Sequence, residues 1–347
     1  MNLREISEKL GLSQTTVSRA LNGYPEVNEA TRRRVKEAAI AHGYHPNQRA
    51  KSLATGRSMQ IGHVIPVSIQ HEMMNVVFAD FIAGAGEVYG KNGYDMLMSI
   101  VSDDGEVKAY EELARKGSVD GFIVHGPTDD DPRIALLQEL GIPFFVHGRS
   151  TDVKTPYNHL DVNNKRAFTR AADFLLDLGH ERIALINGLE RMDFAQRRRH
   201  GYETALQKRG ITPDASLMRS DEMTEPFGYA AAREMLAKTR PPTAFIAASI
   251  VPALGIRRAV EECGLKIGKD VSIICFDDAI SYLPNGAGEP IFTATRSSVR
   301  EAGKRCAELL IDIIKQPPTR PIAELWEAEL VVGNSTGPAP AVHPSKD

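Results

Sequence analysis

Residues 13–23 read "SQTTVSRALNG", polar in front and apolar behind. Ser13 suits a helix N-cap, because its hydroxyl can accept one of the orphan amides of a first turn. Val17, Ala20 and Leu21 then share one face, and Asn22-Gly23 with Pro25 beyond mark the end. Two readings fit this stretch. It is either an ordinary amphipathic helix or a helix whose polar front enters the major groove of DNA. The surrounding chain separates them.

Upstream, Leu3, Ile6 and Leu10 recur at helical spacing until Gly11, which is free to take the left-handed conformation that ends a helix. Downstream, Asn28 suits a cap for a third helix with Val35, Ala38 and Ala39 inward, closed by Gly43 before Tyr44. Residues 1–46 therefore predict an all-α head with a helix-turn-helix. The chain carries −3 overall, yet residues 1–58 hold ten Lys/Arg against five acids, a net +5, leaving −8 on the rest. A basic head on an acidic body points to a polyanion as the head's partner. Residues 47–58, "NQRAKSLATGRS", are basic with only Ala50, Leu53 and Ala54 apolar. Such a stretch is too short to hold a helix alone in water, so it reads as a linker that folds on a partner.

From residue 59 the texture changes to alternating strand and helix. "IGHVIPV", "YDMLMSI", "DGFIVHG", "PFFVHG", "RIALING", "TAFIAAS" and "SIICFDD" read as strands, with helical segments such as 78–92, 131–140, 164–178 and 252–263 between them. Nearly continuous apolar strands in such units imply parallel sheets covered on both faces. Two runs predict two doubly wound parallel-sheet subdomains in an α/β body, with ligands beyond the strands' carboxyl ends, in the cleft between them. The expected division is an N-subdomain of about 59–160 plus 292–321 and a C-subdomain of about 161–291 plus 322–336. "AELVVGNST" reads as one final strand, and the Pro-rich tail 337–347 as disordered.

Hydrophobic residues at 42% and charged at 25% fit a soluble globular chain of 347 residues and exclude a disordered one. No apolar run approaches the roughly 20 residues that span a bilayer. The charged start "MNLREISEKL" is unlike a signal peptide, so the expected location is the cytoplasm, with no membrane partner. Cys263, Cys275 and Cys306 have no metal-ligand spacing and read as small core residues. "GAGEVYG" at 84–90 nears a dinucleotide fingerprint, but it sits inside a helical pattern, where small residues serve helix packing. There is no Walker A pattern, no G-x-S-x-G and no H-E-x-x-H. His147 and Arg149 follow a strand directly and read as binders, not as a nucleophile and base. Asp277 and Asp278 can serve acid–base chemistry on sugars or accept sugar hydroxyls, and nothing in the sequence supplies water activation. No enzyme activity, metal or cofactor is expected.

A helix-turn-helix head, a basic linker with one leucine, and a two-lobed body together resemble the lactose-repressor (LacI/GalR) family of bacterial transcription regulators. The resemblance runs from residue 2 to about 336. It is carried by "LREISEKLGLSQTTVSRALNG", "VNEATRRRVKEAAIAHGYHPNQRAKSLATGRS", "LGHERIALI", "RRRHGY", "SIICFDD" and "NST". It implies that Ser13–Asn22 is the recognition helix: Gln14, Thr15 and Arg19 face base edges, while Ser13, Thr16, Ser18 and Asn22 help position it on DNA. It implies a hinge helix in which Asn47, Arg49, Ala50, Leu53 and Ala54 meet DNA, Leu53 wedging into the minor groove. In the body it implies that Arg198 and Asp277 clamp a small polar effector, with Arg149, Asp161, His147, Ser249 and Phe78 or Phe81 around it. The implied partners are double-stranded operator DNA, a carbohydrate or purine-like effector, and a second copy of the chain. Two positions depart from the family pattern. Ser249-Ile250 stands where many members have Asn-Asp, and Gly333 where an Arg is frequent.

Overall fold

A computed structural model describes residues 2–21, 24–44, 56–66 and 76–340. The chain divides into two compact units, Met1–Met59 and Gln60–Asp347.

The first unit has three helices, α1 (Leu3–Leu10), α2 (Gln14–Leu21) and α3 (Glu29–Ala41). Asn2 and Glu5 cap α1 reciprocally, and Gly11 ends it at φ 64°. The buried side chains Ile6, Val17, Ala20, Val27, Val35 and Ala39 pack the three helices together. Asn22 and the hinge positions Asn47, Arg49, Ala50, Leu53 and Ala54 lie outside the described residues.

The second unit has two lobes, each built on a six-stranded sheet. The N-lobe sheet joins β1 (Gln60–Pro66), β2 (Asp95–Val101), β3 (Gly121–His125), β4 (Phe144–His147), β5 (His159–Val162) and β11 (Ala323–Trp326), in the order β11-β5-β4-β3-β1-β2. The C-lobe sheet joins β6 (Ile183–Asn187), β7 (Met218–Ser220), β8 (Ala244–Ala247), β9 (Ser272–Asp277), β10 (Thr293–Arg296) and β12 (Glu329–Val331), in the order β12-β10-β9-β8-β6-β7. Among the described residues only β12 runs antiparallel, against β10; the other pairs are parallel, as the apolar strands predict.

Helices cover both faces. On the N-lobe, α5 (Glu106–Arg115) and α6 (Pro132–Glu139) bury Tyr110, Ile134 and Leu137 against Phe122, Val124 and Val146. The opposite face carries α4 (Val76–Asn92) and α11 (Val299–Lys315). These two helices touch backbone to backbone, since a Cβ at Gly84 would lie 2.1 Å from the Arg300 carbonyl oxygen. "GAGEVYG" is thus a helix-packing segment. On the C-lobe, α7 (Asn164–Asp177) and α8 (Asp193–Lys208) face one side, and α9 (Glu225–Leu236) and α10 (Ile250–Glu262) the other.

Several expectations need correction. Strand β10 pairs with β9 and so belongs to the C-lobe, whereas β11 pairs with β5 in the N-lobe. The lobe boundaries therefore fall near 163, 297 and 327, not at 161, 292 and 322. "AELVVGNST" holds the final strand, β12, as read, but β11 just before it was missed because its alternating, half-exposed pattern hid it. Residues 337–340 are ordered. The Gly337 carbonyl accepts from His180, and the Ala339 amide donates to Leu178. Cys263 is exposed, while Cys275 and Cys306 are buried. Gly333 has a steric reason: a Cβ there would lie 2.6 Å from the Pro290 carbonyl oxygen, leaving no room for an Arg.

Candidate functional site

In the head, Ser13, Gln14, Thr15 and Arg19 are exposed on one side of α2, while Val17 and Ala20 are buried on the other. The Ser13 hydroxyl accepts the Thr16 amide at 3.0 Å and meets the Thr16 hydroxyl at 2.8 Å. These two hydroxyls hold the helix start, and Ser18 is half-buried. The long side chains free to reach outward are Gln14 and Arg19, at the N-terminal end and one turn on.

A cavity lies between the two lobes of the body. Phe78, Phe81, His125, His147 and Arg149 line it from the N-lobe, with Asp161 at the crossover. Asn164, Phe194, Arg198, Phe276 and Asp278 line it from the C-lobe. Strand ends place His125, His147, Arg149, Phe276 and Asp278 there, and α4, α7 and α8 supply Phe78, Phe81, Asn164, Phe194 and Arg198. Arg198 is fixed on every side. Its Nε donates to Asn164 Oδ1 at 2.7 Å, and one Nη donates to the Ala248 carbonyl at 2.6 Å. Its guanidinium lies 4.3 Å over Phe276 and 4.8 Å from the Phe194 ring centre. Burial lowers its pKa to about 10, against the raising effect of Asp278, so it stays charged at neutral pH.

The run Arg197-Arg198-Arg199 splits three ways because helix neighbours turn about 100° apart. Arg197 grips Asp161 at 2.5 and 2.9 Å and also binds Asp193. Arg199 pairs with Glu190 and Glu203. Only Arg198 faces the cavity. Asp161 is therefore largely occupied by Arg197, with Arg149 Nε 4.0 Å away. That Arg149 nitrogen is buried and has no hydrogen-bond partner, a donor left available at the cavity wall.

Of the paired aspartates, the cavity takes Asp278 and not Asp277. Asp277 ends β9, and its neighbour points the other way. Its Oδ1 accepts the Ala279 amide at 2.8 Å, supporting a residue at φ 52°, and Oδ2 faces Arg296 at 3.7 Å. Asp278 retains access through the cleft, yet protein surrounds its carboxyl at depth. Burial, aided by Asp277, pushes its pKa up to about 7 despite Arg198. Ser249 does not line the cavity. It caps α10, and its hydroxyl bonds Asp278 Oδ2 at 3.3 Å. Ile250, where the family pattern has a polar residue, is buried in the C-lobe core.

The sequence reading missed His125, Asn164, Phe194 and Phe276. A signal for His125 was present: "FIVHG" and "FFVHG" end adjacent strands, and His125 pairs in register with His147. Among the described residues no group of three His, Cys, Asp or Glu is arranged to hold a metal ion. Nor is any helix long and apolar enough to cross a membrane.

Residues 2–47 match the family described as bacterial regulatory proteins, lacI family, and residues 172–336 match the periplasmic binding protein-like domain. The HTH-type transcriptional regulator AglR of Rhizobium meliloti is 44% identical over 341 residues, 98% of this chain and 95% of that protein. RafR of Escherichia coli, also an HTH-type transcriptional regulator, is 31% identical over 331 residues, 94% and 96% of the two chains. Among solved structures, a complex of the regulator CelR with cellobiose superposes with a TM-score of 0.70 at 27% identity, covering 96% of this chain and 99% of that one. The lac repressor dimer bound to operator and the anti-inducer ONPF superposes at 0.80 and 25% identity, covering 97% and 99%. A helix-turn-helix head joined to a two-lobed ligand cleft, matched along nearly its full length, makes this chain a member of the lacI family of bacterial transcriptional regulators.

Proposed function

We propose that this regulator is a repressor that binds a pseudo-palindromic operator as a dimer and is released by a carbohydrate effector in the cleft. The observation that carries the effector half is Arg198. A buried, rigidly held guanidinium facing an aromatic-walled cavity suits a hydroxyl-rich ligand with one apolar face. Phe78 supplies that face, with the buried Phe81 packed behind it, and Asp278 and Arg149 offer an acceptor and a donor. The CelR complex with cellobiose supports the same ligand class. For the DNA half, the exposed front of α2 and the +5 charge of residues 1–58 supply base-reading side chains and phosphate attraction. The chain acts by binding, and Asp277 serves the loop after β9 instead of pairing with Asp278 as acid and base.

Effector binding acts through its differential affinity for two lobe arrangements, so operator and effector must alter each other's affinity by the same factor. A thermal-shift screen of sugars and purines on the full chain tests this, because a ligand of the folded state raises the melting temperature. A sugar that raises it in the wild type but not in Arg198→Ala supports the reading. A purine hit that strengthens operator binding overturns it in favour of a corepressor-dependent regulator. Turnover of a glycoside by the purified protein contradicts the binding role.

A further inference from the structure

The floor of the cleft holds a histidine chain that no step above uses. His63 lies in β1 opposite Ile123, and His125 is two residues further along β3, so both rings share the sheet face under α4. His63 Nδ1 and His125 Nε2 are 2.9 Å apart, and His63 Nε2 is 3.2 Å from the Tyr89 hydroxyl on α4. His63 and Tyr89 are fully buried and do not touch the cavity; His125 does. The edges of Phe78 and Phe81 fix the His125 ring, at 5.0 and 4.9 Å between centres.

We propose that Tyr89 and His63 are positioning residues that set the tautomer of His125, so that His125 presents an Nδ1–H donor to the ligand in the cleft. The proposal rests on the reading of that cleft as the effector site. Burial holds His63 neutral, its pKa lowered to about 3, and lowers that of His125 well below the usual range. A neutral imidazole has one donor and one acceptor nitrogen, so the chain can run in only two directions. In one, Tyr89 donates to His63 Nε2, His63 Nδ1–H donates to His125 Nε2, and His125 is left with Nδ1–H. In the other, every proton is reversed, and the Tyr89 hydroxyl hydrogen has no acceptor among the described residues. A buried donor left unpaired carries its full desolvation penalty, whereas an oxygen lone pair left over costs less. An imidazole nitrogen is also a far better base than a phenol oxygen. Both arguments select the first direction.

The consequence is specificity. His125 becomes a donor alongside Arg149 and Arg198, and it selects a ligand oxygen that accepts, such as a ring, glycosidic or carboxylate oxygen. A ligand offering only a donor there would oppose the whole chain.

The test is solid-state nitrogen NMR on the full chain with labelled histidine, which reads each tautomer directly. His63→Phe and His125→Gln variants assign the signals. Nδ1–H tautomers at both His63 and His125 are expected, with His125 becoming a mixture in Tyr89→Phe. That variant should also bind the effector about tenfold more weakly, while its melting temperature stays near that of the wild type. An Nε2–H tautomer at His125 in the wild type, or one tautomer unchanged in Tyr89→Phe, overturns the relay. The tautomers need no ligand, so they judge the relay even if no compound binds. A bound sugar with reversed tautomers leaves the effector reading intact and removes the relay alone.

Discussion

The buried carboxylate of Asp80 on α4 accepts both the amide of Ser281 at 3.1 Å and its hydroxyl at 2.9 Å, joining the N-lobe to the loop after β9 in the C-lobe. Arg300 Nη1 donates to the same carboxylate at 3.0 Å. Asp80 adjoins Phe81, and Ser281 follows three residues after Asp278, so the contact ties two walls of the cavity together. On the other side of the cleft, Asp193 bonds the Pro127 carbonyl and the Thr151 amide, and Gln196 bonds Asp129.

Loosening this contact should weaken effector binding. Ser281→Ala removes a hydroxyl bond to a charged acceptor, worth about 1.5–3 kcal/mol at most, and Ser281 is exposed, so folding should survive. A fall of roughly tenfold in effector affinity by calorimetric titration is expected. Wild-type affinity in both Ser281→Ala and Asp80→Asn would show that the contact does not contribute to holding the cleft shut on its ligand.

Arg198→Ala should abolish effector-driven release and leave effector-free operator affinity nearly unchanged, because Arg198 serves the cleft and the head lies in a separate unit. An unchanged effector dose response in DNA-binding assays would refute the role given to Arg198.

Asp278 predicts a pH signature. Burial raises its folded pKa to about 7, well above the ordinary aspartate value of about 4. Between those values the folded protein binds a proton that the unfolded chain does not, so this group's contribution to stability falls as pH rises from about 4 to about 7. Asp278→Asn lacks that loss. Its melting temperature should exceed the wild type's at pH 8, and the gap should close towards pH 5. A gap independent of pH would contradict the buried, near-neutral carboxyl.

Gly303→Ala should destabilise the N-lobe. Its new Cβ would lie 2.2 Å from the Phe81 carbonyl oxygen, forcing α4 and α11 apart. Overpacking of this kind costs about 1–3 kcal/mol. Denaturant unfolding at wild-type midpoint would show that the helices yield freely.

Much of this architecture was legible beforehand. Period-3.6 and continuous apolar patterns gave the head helices and most sheet strands, because burial on one face or both writes itself into the sequence. Strands β10 and β11 were misassigned because lobe membership depends on pairing partners far along the chain, which local pattern does not encode. The cleft was half legible. Strand-end positions found His147 and Arg149, and the family resemblance found Arg198 on α8, but strand parity decided for Asp278 over Asp277. Ser249 shows the same limit, since its hydroxyl faces a neighbouring side chain and not the cavity.

The most direct test of the whole account is operator release. Full-length protein would select duplexes from a random DNA pool, and the enriched site would be titrated by fluorescence anisotropy with and without the sugar found in the thermal-shift screen. The account predicts an enriched pseudo-palindrome, bound about a thousandfold or more tighter than random DNA and released by the sugar. Arg19→Ala should weaken that site by about 1–3 kcal/mol, and Leu53→Ala should weaken it more than random DNA. Enrichment of no specific site, or operator affinity unmoved by the sugar, would contradict it.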